Sequence, residues 1–235
     1  MPRSIPDDRF ELLVHEATEV FIARGYRHTQ MADVARAVGV SKGTLYLYVE
    51  SKEALFALCL LHSARLAALA KPASLPVAAP VPGELRALVE ENLSREATLP
   101  ALEQALKRPR ARAIRNELEA VFRELYDVME HHCRGIKLLD RCWDHPEIGS
   151  VWRMLGRELP RTRLADYVAS RMEAGQLPRH PDPSLAARLA LETCATWAVH
   201  IKWDRAPEDF GLDTAREAAL AFVIGGLLGA STVRP

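Results

Sequence analysis

The sequence predicts an all-α protein. Its 235 residues are 49% hydrophobic and 26% charged, the composition of a soluble globular chain rather than a disordered one. Alanine and leucine together fill more than a quarter of all positions, and both lose little on entering a helix. Apolar residues also recur three and four positions apart, which is the spacing of one face of a helix.

The first 70 residues predict four helices, each bounded by a residue that stops or starts a helix. Glycine ends the first two helices, because it takes the left-handed conformation at low cost. Hydroxyl side chains cap the helices that follow. The predicted helices are 7–24, 31–38, 42–48 and 52–70. Their predicted boundary residues are Gly25, Thr29, Gly39, Ser41 and Ser51.

A proline-rich stretch, residues 71–83, divides the chain, because its four prolines cannot continue a helix. Beyond it, apolar periodicity predicts helices at 84–98, 110–134, 147–156, 161–175, 184–204 and 214–230. Two helix starts have a specific signal. Asp182 precedes a proline at the first helical position, and Thr214 with Glu217 fits a capping box.

The two short helices around Gly39 have the pattern of a helix-turn-helix. Gly39 provides the residue of positive φ that the turn needs, and Ala35 is small enough for a steep helix crossing. The helix after the turn is predicted to direct Lys42, Gly43, Thr44, Tyr46 and Leu47 outward. Such a helix fits the major groove of DNA. Leu47 either contacts a thymine methyl group or packs inside the domain.

Residues 10–56 carry further residues at a fixed spacing. These include the pair Gly25-Tyr26, the run Gly-Val-Ser-Lys-Gly-Thr-Leu-Tyr at 39–46 and Ser-Lys-Glu at 51–53. Through them the stretch resembles the DNA-binding domain of the tetracycline-repressor (TetR/AcrR) family. The resemblance implies a homodimeric transcription factor, usually a repressor, that binds a palindromic operator and is released by a small molecule. It also implies DNA contacts through Thr29, Ser41, Lys42, Gly43, Thr44, Tyr46, Leu47, Tyr48 and Lys52.

The final two helices are apolar on nearly every face, which predicts burial on both sides. Pairing with a second copy in a four-helix bundle provides that burial, and the predicted interface residues are Trp197, Phe222, Gly225 and Gly226. The alternative is a helix buried in the core of a monomer.

A stripe of large side chains on the 110–134 helix predicts the lining of a site for an apolar or aromatic effector. With two later tryptophans, the predicted lining is Phe122, Tyr126, Met129, Cys133, Trp143 and Trp152. The alternative is that each of these residues belongs to the core. The sequence therefore predicts a helix-turn-helix domain at 1–50, a connecting helix and proline-rich loop at 51–83, and a ligand-binding and dimerisation domain at 84–235.

Composition and motifs weigh against other classes of protein. Lys plus Arg equals Asp plus Glu at 31 each, so any DNA binding must come from a local surface. No signal peptide is visible, and the longest apolar run (218–233) is too short to span a bilayer. The spacing of the four cysteines forms no disulfide framework, which predicts reduced thiols. These features predict a cytoplasmic protein without membrane contact. The sequence shows no nucleophile, phosphate-loop or zinc-protease motif, which predicts neither an enzyme nor a cofactor.

Two alternatives stay open. His131, His132, Cys133, Cys142 and His145 are borderline or soft metal ligands within a short stretch. They lack the spacing of a metal motif, so we expect no metal site. The first alternative is therefore a regulator of the same class that responds to a metal ion. A helical interaction protein without DNA affinity is the other alternative.

Overall fold

The computed structural model describes residues 7–63, 74–96 and 98–229. It confirms the all-α class: within these residues β-structure is limited to one isolated parallel bridge between Val49 and Val77. No helix among them has the length and apolar character to cross a bilayer. The helices are α1 (Asp7–His28), α2 (Met31–Val38), α3 (Lys42–Leu45), α4 (Lys52–Ser63), α5 (Glu84–Glu96), α6 (Pro100–Leu106), α7 (Ile114–His131), α8 (Cys133–Arg141), α9 (Gly149–Val151), α10 (Leu159–Glu173), α11 (Pro183–Ala198) and α12 (Leu212–Leu228). A π-helical turn joins α9 to α10, and a 3₁₀ turn at His200–Trp203 follows α11.

Most predicted helix boundaries lie within about two residues of the observed ones. α1 continues to His28 past a non-helical Gly25, α3 ends at Leu45 instead of residue 48, and α11 ends at Ala198 instead of residue 204. Two predicted caps are wrong. Gln30, not Thr29, is the N-cap of α2, because the Thr29 hydroxyl donates to the carbonyl of Gly25. Gly211, not Thr214, is the N-cap of α12. Asp182 caps α11 as predicted, since its carboxylate accepts from the N–H groups of Ser184 and Leu185.

The predicted helix at 110–134 is interrupted, and one helix was not predicted. α7 ends before His132 and α8 begins at Cys133, while α6 lies in a segment for which no helix was predicted. The predicted continuation of α4 over 64–70 and residues 71–73 of the proline-rich stretch lie outside the described residues.

The described chain forms two compact units whose boundaries differ from the predicted domains. The first unit contains the described residues of Met1–Leu93 and also Arg134–Arg153. The second contains those of Ser94–Cys133 and Met154–Pro235. The prediction had placed every residue after 83 in the C-terminal domain, whereas 134–153 pack with the N-terminal helices.

The first unit is built around aromatic residues at the end of α1 and in α4. Phe21, Tyr26 and Phe56 have ring centroids 4.9–6.1 Å apart. The ring of His145 lies against Tyr26 and Phe56 at 4.3 and 5.4 Å. Arg141 adds polar contacts, since its Nε and Nη2 donate to the carbonyls of Ile22 and Ala23 at the end of α1.

The second unit contains a fully buried arginine. Arg171 of α10 donates to the Glu117 carboxylate of α7 at 2.7 Å and to the carbonyls of Ala105 and Arg108 at 2.6 and 3.1 Å. It therefore caps the end of α6 while neutralising Glu117, and it connects α6, α7 and α10.

Candidate nucleic-acid interface

The turn between α2 and α3 has the geometry that its sequence predicts. Gly39 has φ 75° and ψ 32°, in the left-handed region, and the next amide, Val40 N–H, donates to the carbonyl of Ala35 at 2.9 Å. Ser41 then caps α3, because its Oγ accepts from the N–H of Thr44 at 3.0 Å. These bonds fix the start of α3 relative to the end of α2.

The inner face of this motif is a small apolar core. Val34 and Leu45 have no solvent exposure, and the ring of Tyr48 stacks on Phe10 of α1 at 6.4 Å. Val49 is also buried and pairs with Val77, so the proline-rich stretch contacts the end of the motif. This packing fixes which side of α3 faces solvent.

The outer face presents most of the residues predicted to contact DNA. Lys42 and Gly43 are exposed, as are Tyr46 at 40% and Leu47 at 62%. The alternative that Leu47 packs inside the domain is therefore wrong. Ser41 is exposed and Thr44 is partly so, with their hydroxyl oxygens 2.8 Å apart. The Lys42 Nζ lies 5.9 Å from the Tyr46 ring centroid.

Two predicted contact residues lie in the interior instead. Thr29 is 2% exposed, and its hydroxyl donates to the carbonyl of Gly25 at 2.7 Å, so this hydroxyl group stabilises the turn before α2 and its phosphate contact stays a prediction. Tyr48 is 4% exposed, so its ring belongs to the core.

Lys52 has a structural role that the sequence pattern did not indicate. Its Nζ donates to the carbonyls of Tyr26 and Thr29 at 3.2 and 3.3 Å and lies 4.3 Å from the Tyr26 ring centroid. These contacts tie the first turn of α4 to the end of α1. Any contact of Lys52 with phosphate stays a prediction.

The buried groups around Tyr26 are held in their uncharged forms. Burial, reinforced by the hydrogen bond to Glu53 at 2.8 Å, raises the pKa of Tyr26 above its usual value. Burial lowers the pKa of His145 and raises that of Cys142. Burial therefore disfavours the charged form of each of these three groups.

Two exposed arginines, one on α1 and one on α2, were not singled out in the sequence. Arg24 and Arg36 both pair with Asp33, at 3.0 and 3.4 Å, and remain 50% and 75% exposed. The i, i+3 spacing of Asp33 and Arg36 is the signal that could have located one of them. Such exposed guanidinium groups provide local positive charge in a chain of zero net charge.

The predicted effector residues are divided between the two units. Phe122 and Tyr126 are buried in the second unit, and Met129 and Cys133 are partly buried there. In the first unit Trp143 is 70% exposed, while Trp152 is buried and donates to Asp140. The two tryptophans thus have unlike surroundings, and the effector lining stays a prediction.

An apolar groove lies on the surface of α11 and α12. It has a volume of about 650 Å³ and is lined by Leu189, Trp197, Phe210, Ala218, Phe222 and neighbouring residues. Phe222 is 74% exposed, and Gly225 and Gly226 are exposed on the same helix. The residues predicted for a dimer interface therefore lie at or near one solvent-facing surface.

The histidines and cysteines considered for metal binding have other surroundings. The rings of His131 and His132 contact each other at 4.7 Å, and Cys133 Sγ accepts from Lys202 at 3.3 Å. Cys142 and His145 are buried in the first unit. Within the described part of the chain, no three His, Cys, Asp or Glu side chains are grouped to hold a metal ion. All four cysteines are free thiols.

A rigid turn, a buried inner face and an exposed outer face on α3 define a helix-turn-helix DNA-binding domain. Residues 13–59 match the model of the bacterial regulatory proteins of the tetR family. A 49-residue stretch is 43% identical to the uncharacterized HTH-type transcriptional regulator YhgD of Bacillus subtilis (strain 168), over 21% of this chain and 26% of that protein. The match thus spans about a quarter of that relative's length.

Similarity to solved structures extends over nearly the whole chain. The TetR-family member SCO3833 from Streptomyces coelicolor A3 is 23% identical, with a TM-score of 0.52 over 92% of this chain and 90% of that one. The TetR-family regulator PfmR from Thermus thermophilus is 21% identical, with a TM-score of 0.53 over 93% and 98%. At these identities the likeness shows the fold. Residues 13–59 therefore form a DNA-binding domain of the tetR-family type, and nearly the whole chain shares the fold of these solved structures.

Proposed function

We propose that the chain binds a palindromic operator as a homodimer, represses transcription, and is released by a small apolar or aromatic effector. The observation that carries the proposal is the outer face of α3 and of the turn that follows it, where Lys42, Tyr46 and Leu47 are exposed after a capped helix start. A helix presented in this way fits the major groove. Because the net charge is zero, phosphate contacts from a few exposed cations must provide the electrostatic part of binding.

The two lysines predicted to contact DNA differ in a way that tests this function. Duplexes are first enriched from a random library at low salt. We expect Lys42→Ala to leave stability unchanged, weaken binding to all duplexes, and lower the salt slope by about one per subunit. Lys52→Ala should additionally lower the stability of the first unit by about 1.5–3 kcal/mol, because the Lys52 ammonium group bonds two backbone carbonyls. Salt-dependent fluorescence anisotropy and chemical denaturation measure the two effects.

Two results would contradict the proposal. The first is a library from which the wild-type protein enriches no duplex. The second is a Lys42→Ala variant whose affinity and salt slope equal those of the wild type.

The dimer is supported by the groove on α11 and α12. Phe222 and Leu189 are 74% and 61% exposed, and an apolar surface of this kind on two neighbouring helices is typical of an interface. Gly225 and Gly226 lie on the same surface and would permit close approach of a partner's backbone. Two copies joined by this surface bury α12 on both sides and provide the two-fold symmetry that a palindromic operator needs.

Gly226→Leu tests dimerisation without disturbing the fold of the single chain. Among the described residues, nothing lies within 4 Å of the position that a Cβ at Gly226 would take. The substitution should therefore leave the monomer folded and even favour the helix. In a dimer it would overpack the interface at a cost of about 1–3 kcal/mol. Light scattering over a concentration series should show dissociation at higher protein concentration than for the wild type.

Ala120→Leu, at an exposed position of α7, is the matched control and should dimerise as the wild type does. A wild-type protein that is monomeric at micromolar concentration would remove both the dimer and the palindrome. A Gly226→Leu variant that dimerises normally would place the interface elsewhere.

The effector is proposed for the second unit, where Phe122 and Tyr126 provide a buried apolar and aromatic environment beside the partly buried Met129. A ligand acts only through different affinities for the DNA-binding and released states, so tenfold release requires about 1.4 kcal/mol of coupling. Operator DNA must then weaken ligand binding by the same factor, and equal ligand affinity with and without DNA would contradict this part of the proposal. The match of residues 13–59 to the tetR-family model favours neither the metal-responsive regulator nor an interaction protein without DNA affinity.

A further inference from the structure

Apart from Lys42, the recognition segment lacks the side chains that read bases by paired hydrogen bonds. Residues 41–48 are Ser-Lys-Gly-Thr-Leu-Tyr-Leu-Tyr, without Arg, Asn, Gln, Asp or Glu. Arginine reads guanine, and asparagine or glutamine reads adenine, through two hydrogen bonds to one base edge in the major groove. In this segment Lys42 is the one charged side chain, and its ammonium group can donate hydrogen bonds to the edge of a guanine.

The hydroxyl groups of Ser41 and Thr44 in the same segment are already engaged within the domain. Ser41 Oγ accepts from the N–H of Thr44 at 3.0 Å and lies 2.8 Å from Thr44 Oγ1. Tyr48 is 4% exposed and stacks on Phe10. Polar recognition of bases by this segment therefore depends on Lys42 and on the hydroxyl group of the exposed Tyr46.

Leu47 is the apolar side chain that this face presents to solvent most fully. It is 62% exposed, whereas Leu45, two residues earlier, has no exposure. Tyr46 beside it is 40% exposed, so the two side chains give the end of the segment an apolar character. In the major groove, the C5-methyl group of thymine is the apolar feature that distinguishes one base from the others.

We propose that Leu47 selects thymine at one position of each operator half-site by contact with the C5-methyl group. The inference rests on the proposed function, since it requires that α3 enter the major groove. It adds the chemical feature of DNA that this chain recognises, which the match to the tetR-family model does not specify.

Deoxyuridine provides the test, because it differs from thymidine in the major groove only by the missing methyl group. Each thymine of the enriched half-site is replaced in turn, in both half-sites together. At one position we expect the wild-type affinity to fall about fourfold per half-site, and therefore about tenfold or more per dimer. Leu47→Ala should bind the unmodified duplex more weakly by a similar factor and should not respond to that replacement.

Leu12→Ala is the matched control, since Leu12 is an exposed leucine of α1, 47% accessible to solvent. This variant should keep the full response to deoxyuridine. If the wild type binds the enriched duplex and is indifferent to every replacement, the role of Leu47 is wrong while the proposed function stands. The same holds if Leu47→Ala remains as sensitive as the wild type. If no duplex is enriched at all, both the proposed function and the role of Leu47 are wrong.

Discussion

An Arg171→Ala variant is expected to lose about 3–5 kcal/mol of folding stability, because the substitution leaves a partly buried carboxylate without its cation. Arg171 has no solvent exposure, and it donates to Glu117 and to the carbonyls of Ala105 and Arg108. Those carbonyls would also lose their donor. Urea denaturation followed by far-UV circular dichroism measures the loss.

Arg163→Ala is the matched control on the same helix. Arg163 also pairs with a glutamate, Glu103, at 3.3 Å, but both side chains are about 40% exposed. An exposed ion pair contributes only about 0–1 kcal/mol. Arg171→Lys keeps the charge without the forked donors and should fall between the two. If Arg171→Ala is no more damaging than Arg163→Ala, the buried network does not stabilise this unit.

Gly25→Ala is expected to lower folding stability more than any other small substitution in the helix-turn-helix domain. Gly25 has φ 76° and ψ 166°, a region that is almost restricted to glycine. An added Cβ would also lie 2.8 Å from the carbonyl oxygen of Arg141. Strain and overlap together should cost about 3 kcal/mol. They would displace the turn that holds Thr29 and Lys52, so operator affinity should fall with stability.

Gly39→Ala is the comparison that carries a smaller backbone strain and no overlap. Gly39 has nearly the same φ, 75°, but no described atom lies within 4 Å of its added Cβ. Its ψ of 32° is one that other residues can adopt, at a cost of about 1–2 kcal/mol. Thermal denaturation of the two variants should rank Gly25→Ala as clearly the less stable. Equal stabilities would show that the contact with Arg141 is readily relieved.

The sequence was sufficient where a boundary depends on neighbouring residues. The stops at Gly25 and Gly39 and the cap at Ser41 depend on backbone freedom or on a hydroxyl three residues from its partner, and each is present. The Thr29 cap failed because a hydroxyl has more than one possible acceptor. The carbonyl of Gly25, four residues earlier, is the one that it uses.

Contacts between distant parts of the chain were beyond prediction from one sequence. Arg141 and the carbonyl of Ile22 are 119 residues apart, and nothing local to α8 indicates that it packs on the end of α1. Arg171 resembles any other arginine of a charged helix, and its burial depends on where α6 ends. For the site, the sequence identified the exposed Lys42 and Leu47. It did not distinguish them from Thr29 and Lys52, whose polar groups serve the fold.

The packing of residues 134–153 with the N-terminal helices bears on how such regulators can recombine. A genetic exchange that transfers only the first 83 residues would leave behind Arg141, which bonds the end of α1, and His145, which covers Tyr26 and Phe56. The recipient would acquire the helix-turn-helix without the residues that complete the interior of the first unit. In this chain the unit that contains the helix-turn-helix is therefore built from two separate segments, and these segments are expected to evolve together.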